Sequence, residues 1–265
     1  MNRIYADYNA TTPLAPEVLE AMLPYLREHF GNPSSIHFEG REARAALDDA
    51  RTRIARLLGA GESEIVFTSG GTESCNAAIF GVVGARRAHA SRPHVITTRI
   101  EHSAVLEACQ RLGDHDAADV TYLPVRTGGR VDPAALAASI RDETVLVSVM
   151  AANNETGTVP PIDELAASCR ARGVPFHTDA IQAFGKLPLT VNDPAVDLLS
   201  IAAHKFHGPK GVGLLYLRRG TPFESQTVGG THENERRAGT GYEAGKNELR
   251  IIARPSAPGI AERGD

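Results

Sequence analysis

The stretch Ser200-Ile-Ala-Ala-His204-Lys205-Phe-His207-Gly208-Pro209-Lys210-Gly211 decides the fold. It closes a largely apolar run, Val196 to Ala203, that reads as a buried strand. That strand delivers Lys205 to the edge of a core. A desolvated lysine with cationic neighbours is expected to shift towards its neutral, nucleophilic form. Taken alone, a lysine ahead of Gly-Pro reads as a surface residue before a turn. Upstream, His177-Thr178-Asp179-Ala180-Ile181-Gln182 repeats the arrangement: it follows the run Gly173 to Phe176 and leaves an acid at a strand end. An amine that can capture an aldehyde and a carboxylate that can meet a protonated pyridine are what a pyridoxal phosphate site needs.

The rest of the chain supplies a sheet to carry these ends. Residues 1–15 read as an extended N-terminal segment, because Thr11-Thr12-Pro13 opposes helix. Pro16 suits the first turn of a helix through about Glu28, and a second helix is expected over Glu39 to Leu58, capped by serines of Phe30-Gly-Asn-Pro-Ser-Ser-Ile-His37 and closed by Gly59. Glu64 to Ser69 is strand-like and runs into Gly70-Gly71-Thr72-Glu73-Ser74 and a small-residue helix, Asn76 to Arg87. A glycine turn feeding a helix N-terminus, with a hydroxyl from Thr72, is an anion site. Further strands are read at His94 to Thr98, Val120 to Pro124, Thr144 to Met150 and Val212 to Leu217. Helices are read after Glu101-His102, after Asp132-Pro133, and over Asp163 to Arg172.

This alternation predicts an α/β fold with a mostly parallel central sheet. Such sheets take ligands beyond the carboxyl ends of their strands. Thr72, His102, Asn154, Asp179 and Lys205 all follow predicted strands, which favours one shared site. Individually, His102 reads as a helix-start residue, Asn154 as a turn residue and Cys75 as a packed small hydrophobe.

Composition narrows the class. The chain has 265 residues and a net charge of −4, with acids and bases mixed, which speaks against a nucleic-acid stripe or membrane-binding face. No apolar run has the length of a membrane span, and the N-terminus shows no signal-like pattern. Three widely spaced cysteines, Cys75, Cys109 and Cys169, fit a reducing cytoplasm and argue against a disulfide framework or structural zinc.

Eight ordered motifs resemble those of one family. They are Asp7-Tyr-Asn-Ala-Thr-Thr-Pro13, Gly31-Asn-Pro-Ser-Ser35, Thr68-Ser-Gly-Gly-Thr-Glu73, Glu101-His102, Asn153-Asn-Glu-Thr-Gly157, His177-Thr-Asp-Ala180, His204 to Gly211, and Arg237-Ala-Gly-Thr240. Together they are similar to the cysteine desulfurases of iron–sulfur assembly and nitrogen fixation, within the class V aminotransferase group of fold-type-I pyridoxal phosphate enzymes. The resemblance implies a large cofactor-binding domain over residues 16–240. It implies that Lys205 holds pyridoxal 5'-phosphate, that Asp179 pairs with the ring nitrogen, and that His102 stacks on the ring and assists proton traffic. Gln182 would bond the ring hydroxyl, and Asn154 would orient cofactor and substrate. Gly71, Thr72 and His204 would bind the phosphate, with Thr240 reaching the phosphate of a partner subunit in a homodimer. The substrate implied is L-cysteine, converted to L-alanine with sulfur passing through a protein persulfide to an iron–sulfur scaffold or other acceptor.

Two departures qualify this. Position 202 is Ala, where the family usually has a phosphate-binding serine. The family's continuation beyond Arg-x-Gly-Thr, with its small domain and nucleophilic cysteine, is not recognised in residues 241–265, which read as a poorly ordered, non-family tail. The expectation is therefore a truncated large domain that forms little persulfide. The alternatives are a non-catalytic pyridoxal-phosphate-binding or dimerising fragment, or another class V enzyme such as a selenocysteine lyase.

Overall fold

The computed structural model describes residues 4–86, 92–192, 196–230 and 232–239. Its centre is a seven-stranded sheet. In chain order the strands are β1 (Ile65–Thr68), β2 (His94–Thr98), β3 (Asp119–Leu123), β6 (Thr144–Ser148), β7 (Phe176–Asp179), β8 (Leu198–Ala202) and β9 (Gly213–Leu217). Two further short strands, β4 (Val125–Arg126) and β5 (Arg130–Val131), form a hairpin around the Thr127-Gly128-Gly129 turn. The sheet order is β1-β9-β8-β7-β6-β2-β3.

Only β9 opposes the other six strands. It is antiparallel to both β8 and β1, so β1 runs the same way as β8. One reversed strand therefore returns the carboxyl end of β1 to the edge where β8, β7, β6 and β2 end, which brings the Gly70-Gly71-Thr72 turn to the same edge as Lys205. Close contact here requires glycine: a Cβ on Gly213 would stand 2.6 Å from Gly70 Cα.

Helices cover both faces, which is why the strands read as continuous apolar runs. Side chains alternate along each strand. Ile65, Phe67, Ile96, Val147, Leu199, Leu214 and Tyr216 join the core beneath α2 (Phe38–Leu58), α5 (Pro133–Ser139) and α6 (Ile162–Arg170). Val66, Val95, Leu146, Leu198, Leu215 and Leu217 join the core beneath α3 (Gly71–Arg86) and α4 (Ser103–Asp114). Helix α1 (Pro16–Arg27) begins at its proline, as expected.

Three sequence expectations are corrected. Helix α2 is capped by His37, whose ring accepts from Gly40 N, rather than by a serine. Its end is as expected, with Gly59 left-handed at φ 71°. Helix α3 starts at Gly71, five residues before the expected Asn76. Its first turn is held by Glu73, whose Oε2 accepts from Ser69 N at 2.8 Å. The third concerns the charges around Lys205, described below. The expectations for residues 241–265, and for Thr240, lie outside the described residues.

Candidate functional site

Five loops leave the shared strand edge and enclose one cavity of about 300 Å³, at the small end for a ligand pocket. Of the nine residues singled out in the sequence, eight line it: Gly71, Thr72, His102, Asn154, Asp179, Gln182, His204 and Lys205. The ninth, Thr240, is not described.

One end of the cavity is the start of α3. Gly71 and Thr72 stand there with the free N–H groups of a 16-residue helix, and His204 lies on the same wall. A Cβ on Gly71 would meet Ile181 Cδ1 at 2.2 Å, so glycine lets the helix start lie against this side chain without moving it. His204 bonds Thr11 Oγ1 at 3.2 Å, and burial, reinforced by the Lys205 and Lys210 cations, lowers its pKa.

Asp179 caps β7 in the depth of the cavity, 3% exposed, with Oδ1 accepting from Ile181 N at 3.0 Å. Burial raises its pKa, opposed by the Ile181 bond and by the nearby His102 and Lys205. Lys205 sits in the short turn after β8, half-buried, and donates to Asn9 O (2.7 Å) and Ala10 O (2.9 Å). Burial lowers its pKa, and the acids Asp179, Asp7 and Glu155 pull the other way. Of the cationic neighbours expected from sequence, Lys186 is close enough that it and Lys205 repel one another, but the acids around Lys205 were not expected.

His102 caps α4, as the helix-start reading expects, with its Nδ1 accepting from Ala104 N at 3.1 Å, and it also lines the cavity. The cap leaves Nε2 as the ring's second nitrogen, the proton carrier of the neutral form. Of the two asparagines, Asn153 builds the turn, accepting from Glu155 N, Thr156 N and Thr156 Oγ1, while Asn154 lines the cavity. Gln182 gives one amide N–H to Asn9 O at 2.9 Å and accepts from Lys186 Nζ at 2.8 Å.

Sequence reasoning missed two supports. The first is the N-terminal segment, which packs on the lysine loop through Thr12, whose N and Oγ1 both donate to His204 O; Ala10 lines the cavity. The Asp7–Pro13 motif was the available signal. The second is Glu101, 5% exposed, whose Oε1 accepts from Thr98 Oγ1 at 2.7 Å and Met150 N at 3.1 Å. It ties the end of β2 to the segment after β6, which sets His102 and Asn154 on one cavity. Burial pushes its pKa up to about 8.

Residues 4–252 match the aminotransferase class-V family. The chain belongs to the class-V aminotransferase family. The match continues to residue 252, beyond the motif at which the sequence resemblance was taken to end. A cysteine desulfurase IscS of Dictyoglomus turgidum is 52% identical over 91% of this chain and 61% of that protein. The chain thus spans about three-fifths of this class-V relative's length. A solved NifS-like protein superposes with a TM-score of 0.92 at 39% identity, over 95% of this chain and 69% of that one. A second, described as SspA in complex with cysteine, gives 0.91 at 40% identity, over 95% and 72%. The fold is therefore the class-V form of fold type I, a mixed α/β unit around a mostly parallel sheet. The cofactor of the class-V cysteine desulfurases is pyridoxal 5'-phosphate, and the cavity fits it. A buried carboxylate, a half-buried amine and a helix N-terminus match a cationic ring nitrogen, an aldehyde and a phosphate.

Proposed function

We propose that this chain is the cofactor- and substrate-holding unit of a pyridoxal-phosphate-dependent cysteine desulfurase, acting on L-cysteine to give L-alanine. The observation that carries the reading is the convergence of Lys205, Asp179 and the α3 N-terminus on one cavity.

When bound, the cofactor supplies an electron-poor ring that stabilises negative charge at the substrate Cα. Lys205 Nζ would hold the cofactor's aldehyde carbon, and burial favours the neutral amine this requires. After release, the same nitrogen can take a proton from Cα, with His102 Nε2 a second group on the wall able to carry one. Asp179 would hold a proton on the ring nitrogen, its negative charge paired with the cation in a dry setting. Gln182 retains a second amide N–H for the ring hydroxyl, and Asn154 would orient ring and substrate. Gly71, Thr72 and His204 would hold the phosphate, joined by Thr240 of a second copy. A homodimer agrees with the exposed apolar side chains Leu19, Leu26, Phe30, Ile36 and Phe38.

The sulfur-accepting thiolate is none of the chain's three cysteines. All are buried: burial pushes Cys109 and Cys169 up to about 12, and Cys75 well above its usual value. A nucleophilic thiol needs access and a depressed pKa. The sulfur acceptor is accordingly a thiol outside this set, and the chain by itself accumulates little persulfide. Three unpaired cysteines agree with a reducing, cytoplasmic setting. Among the described residues no helix is long and apolar enough to cross a membrane.

The buried cysteines also favour a second reading, a pyridoxal-phosphate binder without turnover. Visible absorbance on adding the cofactor, a linkage trapped by borohydride, and loss of both in Lys205→Ala test cofactor binding. Alanine release from cysteine in the presence of added thiol separates the two readings. Absence of a Lys205-dependent absorbance sinks both.

A further inference from the structure

Strand β1 ends the sheet and, among the described residues, pairs with β9 alone, so the backbone groups on its outer side need other partners. Two side chains supply them. Arg51 on α2 donates through Nη1 to Ile65 O at 2.5 Å, and Glu233 Oε2 accepts from Phe67 N at 3.1 Å. The same two side chains hold each other at two points, Nη1 to Oε2 at 2.9 Å and Nη2 to Oε1 at 3.1 Å. The pair is nearly dry, with the Glu233 side chain 4% exposed and that of Arg51 14%. The backbone that brings Glu233 here is strained. Glu233, Asn234 and Glu235 follow one another at φ 50°, 54° and 66°, a left-handed region that residues with a Cβ rarely enter, and then singly. Such a run persists only where its surroundings hold it. Beyond it, Arg236 donates to Glu233 O and Ser63 O. Arg237 reaches Glu73 with Nε to Oε1 at 2.8 Å and Nη2 to Oε2 at 3.3 Å. Glu73 lies in the first turn of α3, next to Thr72 on the cavity wall.

We propose that Glu233 is a positioning residue for the anion end of the cavity: locked to Arg51 and to the outer edge of β1, it holds the left-handed turn that keeps Arg237 on Glu73, and so cancels a negative charge in the helix turn that receives the phosphate. The inference rests on the reading of the α3 N-terminus as the phosphate site.

Electrostatics give the consequence. The favourable field of a helix N-terminus is confined to its first turn. A carboxylate in that turn repels an incoming dianion unless a cation is paired with it. Burial works to raise the pKa of Glu73, but the bonds from Arg237 and Ser69 outweigh it, so the group is ionised at neutral pH. Among the described residues, Arg237 is the cation paired with it. The other bond of the Arg237 guanidinium goes to Gly239 O, on its own segment, and the next residue is tied by Ala238 N to Thr227 O at a long 3.3 Å. The firm hold on the segment lies upstream, in the Glu233 carboxylate, which takes donors from α2 and β1. Neutralising that carboxylate leaves Arg51 without its counter-charge and lets the turn relax to right-handed geometry, which carries Arg237 off Glu73.

The test compares pyridoxal phosphate with pyridoxal, which lacks the phosphate, by visible absorbance on the folded protein. Glu233→Gln is expected to weaken pyridoxal phosphate about threefold to tenfold, the effect of one uncancelled charge near the site, with the loss shrinking in high salt and pyridoxal unmoved. Arg237→Gln, which removes the cation directly, gives the same loss. Glu73→Gln added to either variant restores the affinity, because no charge is then left to cancel; a loss of packing alone would not be restored. Unchanged affinity in either single variant, an equal loss for pyridoxal, or a loss that Glu73→Gln fails to restore overturns the assignment. If Glu233→Gln does not fold, Arg237→Gln and amide exchange of the wild-type protein decide: Phe67 N is expected to be protected, and rapid exchange there overturns the latch. Inorganic phosphate, followed by phosphorus NMR, is expected to rank the variants in the same order. Wild-type protein that binds inorganic phosphate in that order but not pyridoxal phosphate refutes the cofactor reading and leaves the positioning role standing; binding of neither refutes both.

Discussion

Ala202 offers a quantitative handle on the phosphate end of the cavity. It ends β8, is 1% exposed, and its Cβ lies 3.4 Å from the point where a Cβ on Gly71 would stand. A hydroxyl added there shares the space over the first turn of α3. In Ala202→Ser the new Oγ–H has a charged acceptor only when an anion is bound. A hydrogen bond to a charged group contributes about 1.5–3 kcal/mol, which corresponds to roughly tenfold to a hundredfold tighter binding. In the apoprotein the same hydroxyl is buried without its partner, at a cost of about 1 kcal/mol, or about 2–4 °C in Tm for a chain of this size. The expected result is a variant less stable alone, with Kd for pyridoxal phosphate lowered at least about tenfold. Inorganic phosphate should gain similarly, and pyridoxal, lacking the phosphate, should gain nothing. Titration by visible absorbance and thermal melts with and without each ligand measure all three. Unchanged affinity for both phosphate ligands in a folded variant would show that position 202 does not face the anion. Equal gains for pyridoxal would place the effect elsewhere in the cavity.

Three further outcomes follow from the buried charges and thiols. His177 is neutral in the fold down to pH about 3, whereas the unfolded chain takes its proton near 6.5. Its contribution is intact above pH 6.5 and declines as pH falls between these values, by about 2 kcal/mol at pH 5; urea titrations of wild type and His177→Gln across this window should show the variant lacking that component. Glu73 is half-buried and is bonded by Arg237 (Nε to Oε1, 2.8 Å) and Ser69 N. Burial works to raise its pKa, but these bonds prevail and lower it. Its folded pKa lies below the unfolded value of 4.5, so its contribution is complete above that value and lost as pH falls through the folded pKa. Glu73→Gln should cost about 1–3 kcal/mol at neutral pH, read by denaturant unfolding, and stability equal to wild type would refute the pairing. Finally, Cys75, Cys109 and Cys169 should all resist an aromatic disulfide reagent in the native state and react together on unfolding; rapid native labelling of any one would contradict its burial.

Much of the site was legible because its chemistry lies in short local motifs. Lys205, Asp179 and Thr72 each follow a strand within a few residues, and strand ends can be recognised from apolar runs and turn residues. The charge environment of Lys205 was read only in part, because Asp7, Glu155 and Asp179, which oppose its cationic neighbour Lys186, are remote in sequence or on another strand. The α2 cap was assigned to serine on local preference, but the chain path placed His37 over Gly40.

The sequence by itself determined that strands and helices alternate, that the sheet is mostly parallel, and that an amine, a carboxylate and an anion-binding turn lie at strand ends. Local propensity, periodicity and turn chemistry suffice for these. Only the tertiary structure decided that the reversed β9 returns β1 to the same edge, that residues 9–15 close over the lysine loop, and that Ser148, His177 and Ser200 are hydrogen-bonded across three neighbouring strands. Those outcomes depend on strand order and register, which are fixed by contacts between residues far apart in the chain and leave no signature in any one segment.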